Sequence, residues 1–439
     1  MSFYIDTQTL EEMNLLGKFR QGSVYNMFNQ VRTRGGELLL ERMFHNPLTN
    51  EVAINERTGI LQFFQQSRLV FPFDVQEISA MREYLDSGTG NNALATLGGT
   101  VVKKLLAGLT RDERYKKMVQ GLQATIGTLN RCWLYVEQIQ ATGAWSDRVL
   151  FVKKLFADER IARLRDIDIY KDIPVQTLAQ YDHLLKQPLH EAMEQLLSFV
   201  YEVDVYIAVS DVAHTRGFTY AKAYPAERNI LHATGLYHPA LKQAVGNSIT
   251  MEQQKNVLFL TGANMAGKST LMKAVGIGVY LAHMGFPVAA LNMWFSVRDG
   301  LYTSINVADN ISLGYSHFYA EVVRVKQVAE AVAGGKRLMV MFDELFKGTN
   351  VKDAFDGTLA VTEAFAGYTD CLFIVSTHII EVGGELKKLP NIHCVYMPTI
   401  MEGNYPRYTY QLQEGITEDR QGMLIIQNEG ILELIESDL

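Results

Sequence analysis

The sequence predicts a mixed protein, an all-α domain over residues 1–224 followed by an α/β domain over residues 225–439. Three observations carry this prediction. In the first part apolar residues recur every three or four positions, as in Met118, Leu122, Ile126, Leu129, Trp133, Val136 and Ile139, and again in Met193, Leu196, Val200, Val203 and Ile207. That period lines one face of a helix, and such stripes are core packing. In the second part short apolar runs alternate with helical stretches, the pattern of strands covered by helices. The change falls near Tyr224-Pro225-Ala226.

Composition sets the bounds. A chain of 439 residues is long enough for two or three domains with buried cores. Met1-Ser2-Phe3-Tyr4-Ile5-Asp6 has neither a basic nor an apolar leader region, so no secretory signal is expected. The longest apolar stretch, Ala274 to Phe295, is interrupted by His283 and Pro287 and suits a buried helix followed by a strand better than a membrane span. Cys132, Cys371 and Cys394 lack metal-ligand spacing and read as reduced, buried residues of a cytoplasmic protein. The formal net charge of −7 argues against a strongly electropositive nucleic-acid binder. Two basic clusters stand out locally, Lys103-Lys104 with Arg111, Arg114, Lys116 and Lys117, and Lys153-Lys154 with Arg160, Arg163 and Arg165. Interspersed acids make solvated helix faces the simpler reading of both.

The chemistry concentrates in the second domain. Residues 261–270, TGANMAGKST, fit G-x-x-x-x-G-K-[ST] and come directly after the apolar run Val257-Leu258-Phe259-Leu260. A buried strand feeding a glycine turn that opens into a helix points backbone N–H groups at phosphate oxygens. Gly262, Ala263, Asn264, Met265, Ala266, Gly267, Lys268, Ser269 and Thr270 are the candidate phosphate-binding residues. Lys268 is expected to reach the β/γ-phosphates of ATP, and the Ser269 hydroxyl to bind Mg²⁺.

Downstream, Arg337-Leu-Met-Val-Met-Phe-Asp343-Glu344 reads as a buried strand ending in two carboxylates, at the edge where open α/β sheets bind ligands. Asp343 is placed for the Mg²⁺ shell and Glu344 to orient or deprotonate a water. A third strand, Cys371 to Ser376, ends in Thr377-His378, and His378 is a candidate γ-phosphate sensor.

These residues resemble the MutS family of DNA mismatch-repair ATPases. TGANMAGKST is similar to the family's TGPNMGGKST. Gly235-Leu236-Tyr237-His238-Pro239 resembles its RHP element, and Met284-Gly285-Phe286-Pro287-Val288-Ala289-Ala290 its IG-x-x-VPA segment. Ser316-His317-Phe318 with Glu321 resembles STF-x-x-E, Asp343 to Asn350 resembles DEIGRGTS, and Ser376-Thr377-His378 resembles ATH. More faintly, Asp6 to Leu10, Gly22-Ser23-Val24, Thr33 to Gly36, Asn46-Pro47-Leu48, and Ile54 with Arg57 resemble the start of the family's core domain.

The resemblance implies a helical core/lever domain, then an ABC-type P-loop ATPase domain, with Mg-dependent hydrolysis of ATP coupled to DNA binding. It implies a homodimer through the ATPase domain, with Ser316 approaching the nucleotide of the other subunit, and a helical dimer contact from Gly415 to Ile435. Nothing here matches the family's mismatch-reading or connector domains, and there is little room for its clamp. Weak DNA binding without mismatch selectivity is therefore expected. The sequence departs from the family at Ala263, Ala266, His317 and Lys347, and Ala244-Val245-Gly246-Asn247 lacks the aromatic platform expected for adenine. A nucleotide-gated DNA-binding scaffold with little turnover, or a P-loop ATPase or kinase unconnected with DNA, remain the alternatives.

Overall fold

The computed structural model describes residues 2–17, 22–88, 90, 92–110, 113–168, 171–305, 317–402 and 405–417. The protein is mixed helix and sheet. Its contacts form two compact units, each assembled from separated stretches of chain. One takes Met1–Met27, Phe44–Thr58 and Thr215–Leu439, and the other takes Phe28–Met43 and Gly59–His214.

The second of these units is helical. The 118–139 stripe lies on the helix Arg114–Gln138, where Met118, Leu122, Ile126, Leu129 and Val136 are buried. The 193–207 stripe lies on His190–Arg216, with all five of its residues buried. Aromatic packing holds the second of these helices: Trp145 stacks on Phe199 with ring centroids 5.2 Å apart, and Phe64 and Tyr206 meet Trp145 edge-on. A buried carboxylate ties the early segment to the long helix. Asp204 accepts the backbone N–H groups of Arg32 and Thr33 and the Thr33 hydroxyl, so its charge is fully hydrogen-bonded, as a buried charge requires.

The other unit is built on a seven-stranded sheet. In spatial order its strands are Tyr4–Ile5, Gly300–Ser304, Leu338–Asp343, Leu372–Ser376, Val257–Gly262, Ile392–Met397 and Gln413–Glu414. Every pairing is parallel except the last. The near-continuous apolar runs seen in the sequence are explained by this placement. Val257–Gly262 is buried at all six positions, as a parallel strand covered on both faces must be. A smaller sheet runs Lys222–Tyr224, Asn292–Ser296, Leu231–Leu236, Asn247–Met251.

The stretch 1–224, read as all-α, also contributes strands at Tyr4–Ile5, Thr219–Tyr220 and Lys222–Tyr224. The first is too short to show periodicity. It docks because Gly300 leaves room for it: a Cβ at 300 would sit 2.3 Å from the Tyr4 carbonyl oxygen. Asp6 then caps the helix Thr7–Glu12 by accepting the Thr9 N–H at 2.9 Å. The buried Arg324 guanidinium binds the same Asp6 carboxylate, Thr9 Oγ1 at 3.0 Å and the Thr303 carbonyl at 2.7 Å. Burial alone would raise the Asp6 carboxyl, but Arg324 and Thr9 together hold it below its ordinary value.

The three cysteines are buried free thiols, and no described helix is long and apolar enough to cross a membrane. The Ala274–Phe295 stretch folds as expected, into the helix Lys268–His283 and then Pro287–Val288 and Asn292–Ser296. His283 ends that helix wholly buried. Its Nδ1 lies 2.8 Å from the Leu48 carbonyl and its Nε2 accepts the Arg298 N–H at 3.3 Å. Burial pushes the imidazole down to about 4, so it stays neutral, with the proton on Nδ1 facing a carbonyl.

Candidate functional site

The loop 262–268 is shaped by its two ends. The buried strand stops at Gly262, and the helix Lys268–His283 starts after Gly267, whose φ of 103° puts it in the left-handed region. Between them the Ala266 N–H donates to the Ala263 carbonyl at 3.2 Å, and Met265 takes φ 70°. A left-handed methionine is costly backbone, and such strain gathers at ligand sites. The helix has no side-chain cap and no acid in its first turn. Its first N–H groups are thus available to an anion. Asn264, Met265 and Thr270 are exposed, whereas Gly262, Ala266 and Lys268 are buried.

Lys268 Nζ donates to the carbonyls of Gly262 at 2.8 Å and Ala263 at 3.2 Å. Burial lowers its pKa, and the nearby Glu344 and Asp343 carboxylates oppose that shift. Strand register brings those acids to the loop. Asp343 lies opposite Ser376, and Ser376 lies opposite Leu260, so three adjacent strands end level. The Asp343 carboxylate accepts hydrogen bonds from both the Ser269 and Ser376 hydroxyls.

Glu344 is the next residue. Its N–H donates to the Ser376 carbonyl at 3.0 Å, and its φ of 54° turns the chain out of the sheet. His378 Nδ1 stands 4.0 Å from Glu344 Oε1 on a half-exposed side chain. Lys268, Ser269, Asp343, Glu344 and His378, dispersed over the sequence, thus meet at one sheet edge. Ser316, and residues 418–435 of the expected dimer contact, lie outside the described residues.

The donors suit a hard cation. Ser269 Oγ and the Asp343 carboxylate offer oxygen only, and among the described residues no group of three or more His, Cys, Asp or Glu could cage a metal. Mg²⁺ is commonly held this way, through one or two carboxylates together with substrate phosphates and water.

One part of the site was not legible in the sequence. Beside the loop is a cavity of about 460 Å³, bounded by Met265 and Gly267 on one side and by Tyr237, His238, Val245 and Tyr410 on the others. Tyr410 is held in place by Asn247, whose side chain donates to the Tyr410 carbonyl at 2.9 Å and accepts the Leu412 N–H at 2.7 Å. Tyr410 has φ 56°. Its ring lies against the loop, since a Cβ on Gly267 would be 3.1 Å from Tyr410 Cδ1. The 244–247 segment, which lacks an aromatic, therefore supplies the residue that positions one from far downstream.

Comparison with known proteins agrees with this geometry. The family model described as MutS domain V matches residues 258–436. The DNA mismatch repair protein MutS of Streptococcus sanguinis (strain SK36) is 26% identical over 249 residues, which cover 55% of this chain and 28% of that protein. The match spans less than a third of that relative's length. Residues 258–436, which include the residues gathered at the sheet edge, are thus similar to MutS domain V.

Proposed function

We propose that this chain is a MutS-like ATPase, with a helical core/lever domain over residues 1–224 and an ABC-type P-loop domain over 225–439, which hydrolyses ATP and couples that cycle to DNA binding. The observation that carries this reading is the convergence of Lys268, Ser269, Asp343 and Glu344 at the carboxyl ends of adjacent parallel strands. The loop N–H groups and Lys268 would hold the β/γ-phosphates, and Lys268 would exchange its two loop carbonyls for phosphate oxygens. Ser269 and Asp343 would hold Mg²⁺, which when bound neutralises charge on the phosphates.

Glu344 would accept a proton from a water as that water's oxygen bonds to the γ-phosphorus. The bond from that phosphorus to the bridging oxygen breaks, and ADP leaves. His378, next to Glu344, would orient it or contact the γ-phosphate. The barrier falls through positioning and charge stabilisation. Ser316 of a second copy would complete the site in a homodimer, in the cytoplasm.

The cavity at Tyr410 fits the base. Tyr410→Ala should weaken ATP binding about three- to tenfold, the range of an aromatic stacking contribution, while leaving pyrophosphate binding unchanged. Tyr410→Phe should bind ATP normally. Titration calorimetry with both ligands checks this, and an equal loss for pyrophosphate would place Tyr410 outside a base subsite.

The DNA side of the proposal is tested by competition between mismatched and matched duplexes, with phosphate release measured in parallel. The expected result is steady-state ATP turnover, with weak binding that falls steeply with salt and shows little mismatch preference. Phosphate contacts from lysines carry no sequence information. Tenfold selectivity for the mismatch, about 1.4 kcal/mol, would contradict it, and absence of phosphate release would leave a nucleotide-gated binder.

A further inference from the structure

The helical unit contains a cavity of its own, of about 490 Å³. Its walls come from the helix Val75–Asp86, from Lys103 on Ala93–Thr110, from the first turns of Arg114–Gln138, and from Lys186 at the end of Val175–Lys186. Lys103, Arg114, Lys117 and Lys186 all face it, and Glu83 is the carboxylate in its wall.

Lys186 shows that this is more than a solvated lysine patch. Its side chain is 3% exposed, its Nζ lies 2.6 Å from Asp182 Oδ1 and 2.8 Å from Ser87 Oγ, and it sits 4.0 Å above the Tyr84 ring. Burial lowers its pKa, Asp182 opposes the shift, and the positive charge of Lys103 adds to it. Asp182 therefore compensates one buried cation while further cations approach the same space. Neither Lys103 nor Lys117 has an ion pair among the described residues.

The helix start points the same way. Arg114–Gln138 has Glu113 at its N-cap but no side-chain cap hydrogen bond and no acid in its first turn, where Arg114, Lys116 and Lys117 stand. Cations at a helix N-terminus oppose the helix dipole, where an anion would be stabilised. Cations from three helices, one of them buried, converge with a positive helix end on a single concave space. We propose that this cavity binds a phosphate group, carried either by a nucleic-acid backbone or by a free phosphorylated molecule. The proposal stands on the helical unit and does not depend on the nucleotide reading.

The test uses the full chain with Lys103→Gln and Lys117→Gln together, changes in the cavity lining that remove the charge and shorten each side chain by one atom. The control carries Lys153→Gln and Lys154→Gln in the other basic cluster. Far-UV circular dichroism verifies that each variant is folded. Inorganic pyrophosphate is titrated calorimetrically in a Lys268→Ala background, so that the loop at 262–268 does not compete. A fluorescein-labelled duplex is titrated by anisotropy across salt concentrations.

The cavity-lining pair should lower pyrophosphate affinity at least tenfold, and the control pair should leave it unchanged. If duplex affinity falls too, with the salt slope reduced by about 2 (roughly 0.9 per phosphate contact), the ligand is backbone phosphate. If duplex binding is unaffected, the ligand is a free phosphorylated molecule. Pyrophosphate binding that is unchanged, or lowered equally in the control, overturns the site whatever the duplex does.

Discussion

Glu344→Gln should leave ATP affinity intact and reduce steady-state phosphate release by about two or more powers of ten, the usual contribution of a positioned acid–base group. The substitution preserves shape and hydrogen bonding and removes only the basic oxygen. That separation is clean here because the backbone places the residue. The Glu344 N–H is held by the Ser376 carbonyl and its φ is 54°, so the side chain leaves the sheet in a direction that the substitution does not alter. Asp343, one residue earlier, keeps its contacts with Ser269 and Ser376. The variant should therefore accumulate with ATP bound. Single-turnover chemistry and equilibrium binding, measured separately, check both halves. Undiminished turnover would assign the water to another group and return Glu344 to a structural role.

Lys268→Ala should act earlier, on binding. The loop's other contributions are backbone dipoles, and Lys268 is its only cation. Losing a charged hydrogen-bond donor to the phosphates should cost about 1.5–3 kcal/mol, which is roughly ten- to a hundredfold in affinity. The ammonium donates to Gly262 and Ala263 carbonyls, so its removal also loosens the loop, and binding should suffer at both levels. Titration calorimetry with ATP reads the loss. Unchanged affinity would defeat the phosphate-loop assignment outright.

The strand-to-helix turn at 262–268 and the placing of Asp343 and Glu344 at a strand's end were legible because each is a local event. A buried strand announces itself by an apolar run, and the residues just after that run sit at the strand's carboxyl end. The long helices were legible because their apolar stripes persist over several turns. Tyr410 was not, because its relevance comes from Asn247 and Gly267, which are distant in sequence, and from a positive φ that nothing in the local residues demands. Tyr4–Ile5 was hidden for a related reason. Two residues cannot show a period, and their place is fixed by the space Gly300 leaves and by Arg324 reaching Asp6. The neutral state of His283 likewise comes from its complete burial, with the charge of Arg298 adding to it and the Leu48 carbonyl opposing, and a histidine in a helical sequence gives no sign of that.

The pairing of Tyr4–Ile5 with Gly300–Ser304 has a consequence for how the protein is made. Chains emerge from the ribosome at roughly 5–20 residues per second. The first strand must therefore wait on the order of a quarter of a minute to a minute for its neighbour to be synthesised. The stretches that make the helical unit, Phe28–Met43 and Gly59–His214, are complete well before then and can fold while the early strand is still unpaired. During that interval Tyr4–Ile5 is an open edge, available to the wrong partner. Tyr4–Ile5 can join the sheet only once the Gly300 strand, and Arg324 beyond it, have been made, while the strands Leu338–Asp343, Leu372–Ser376, Ile392–Met397 and Gln413–Glu414 of the same sheet are still to come.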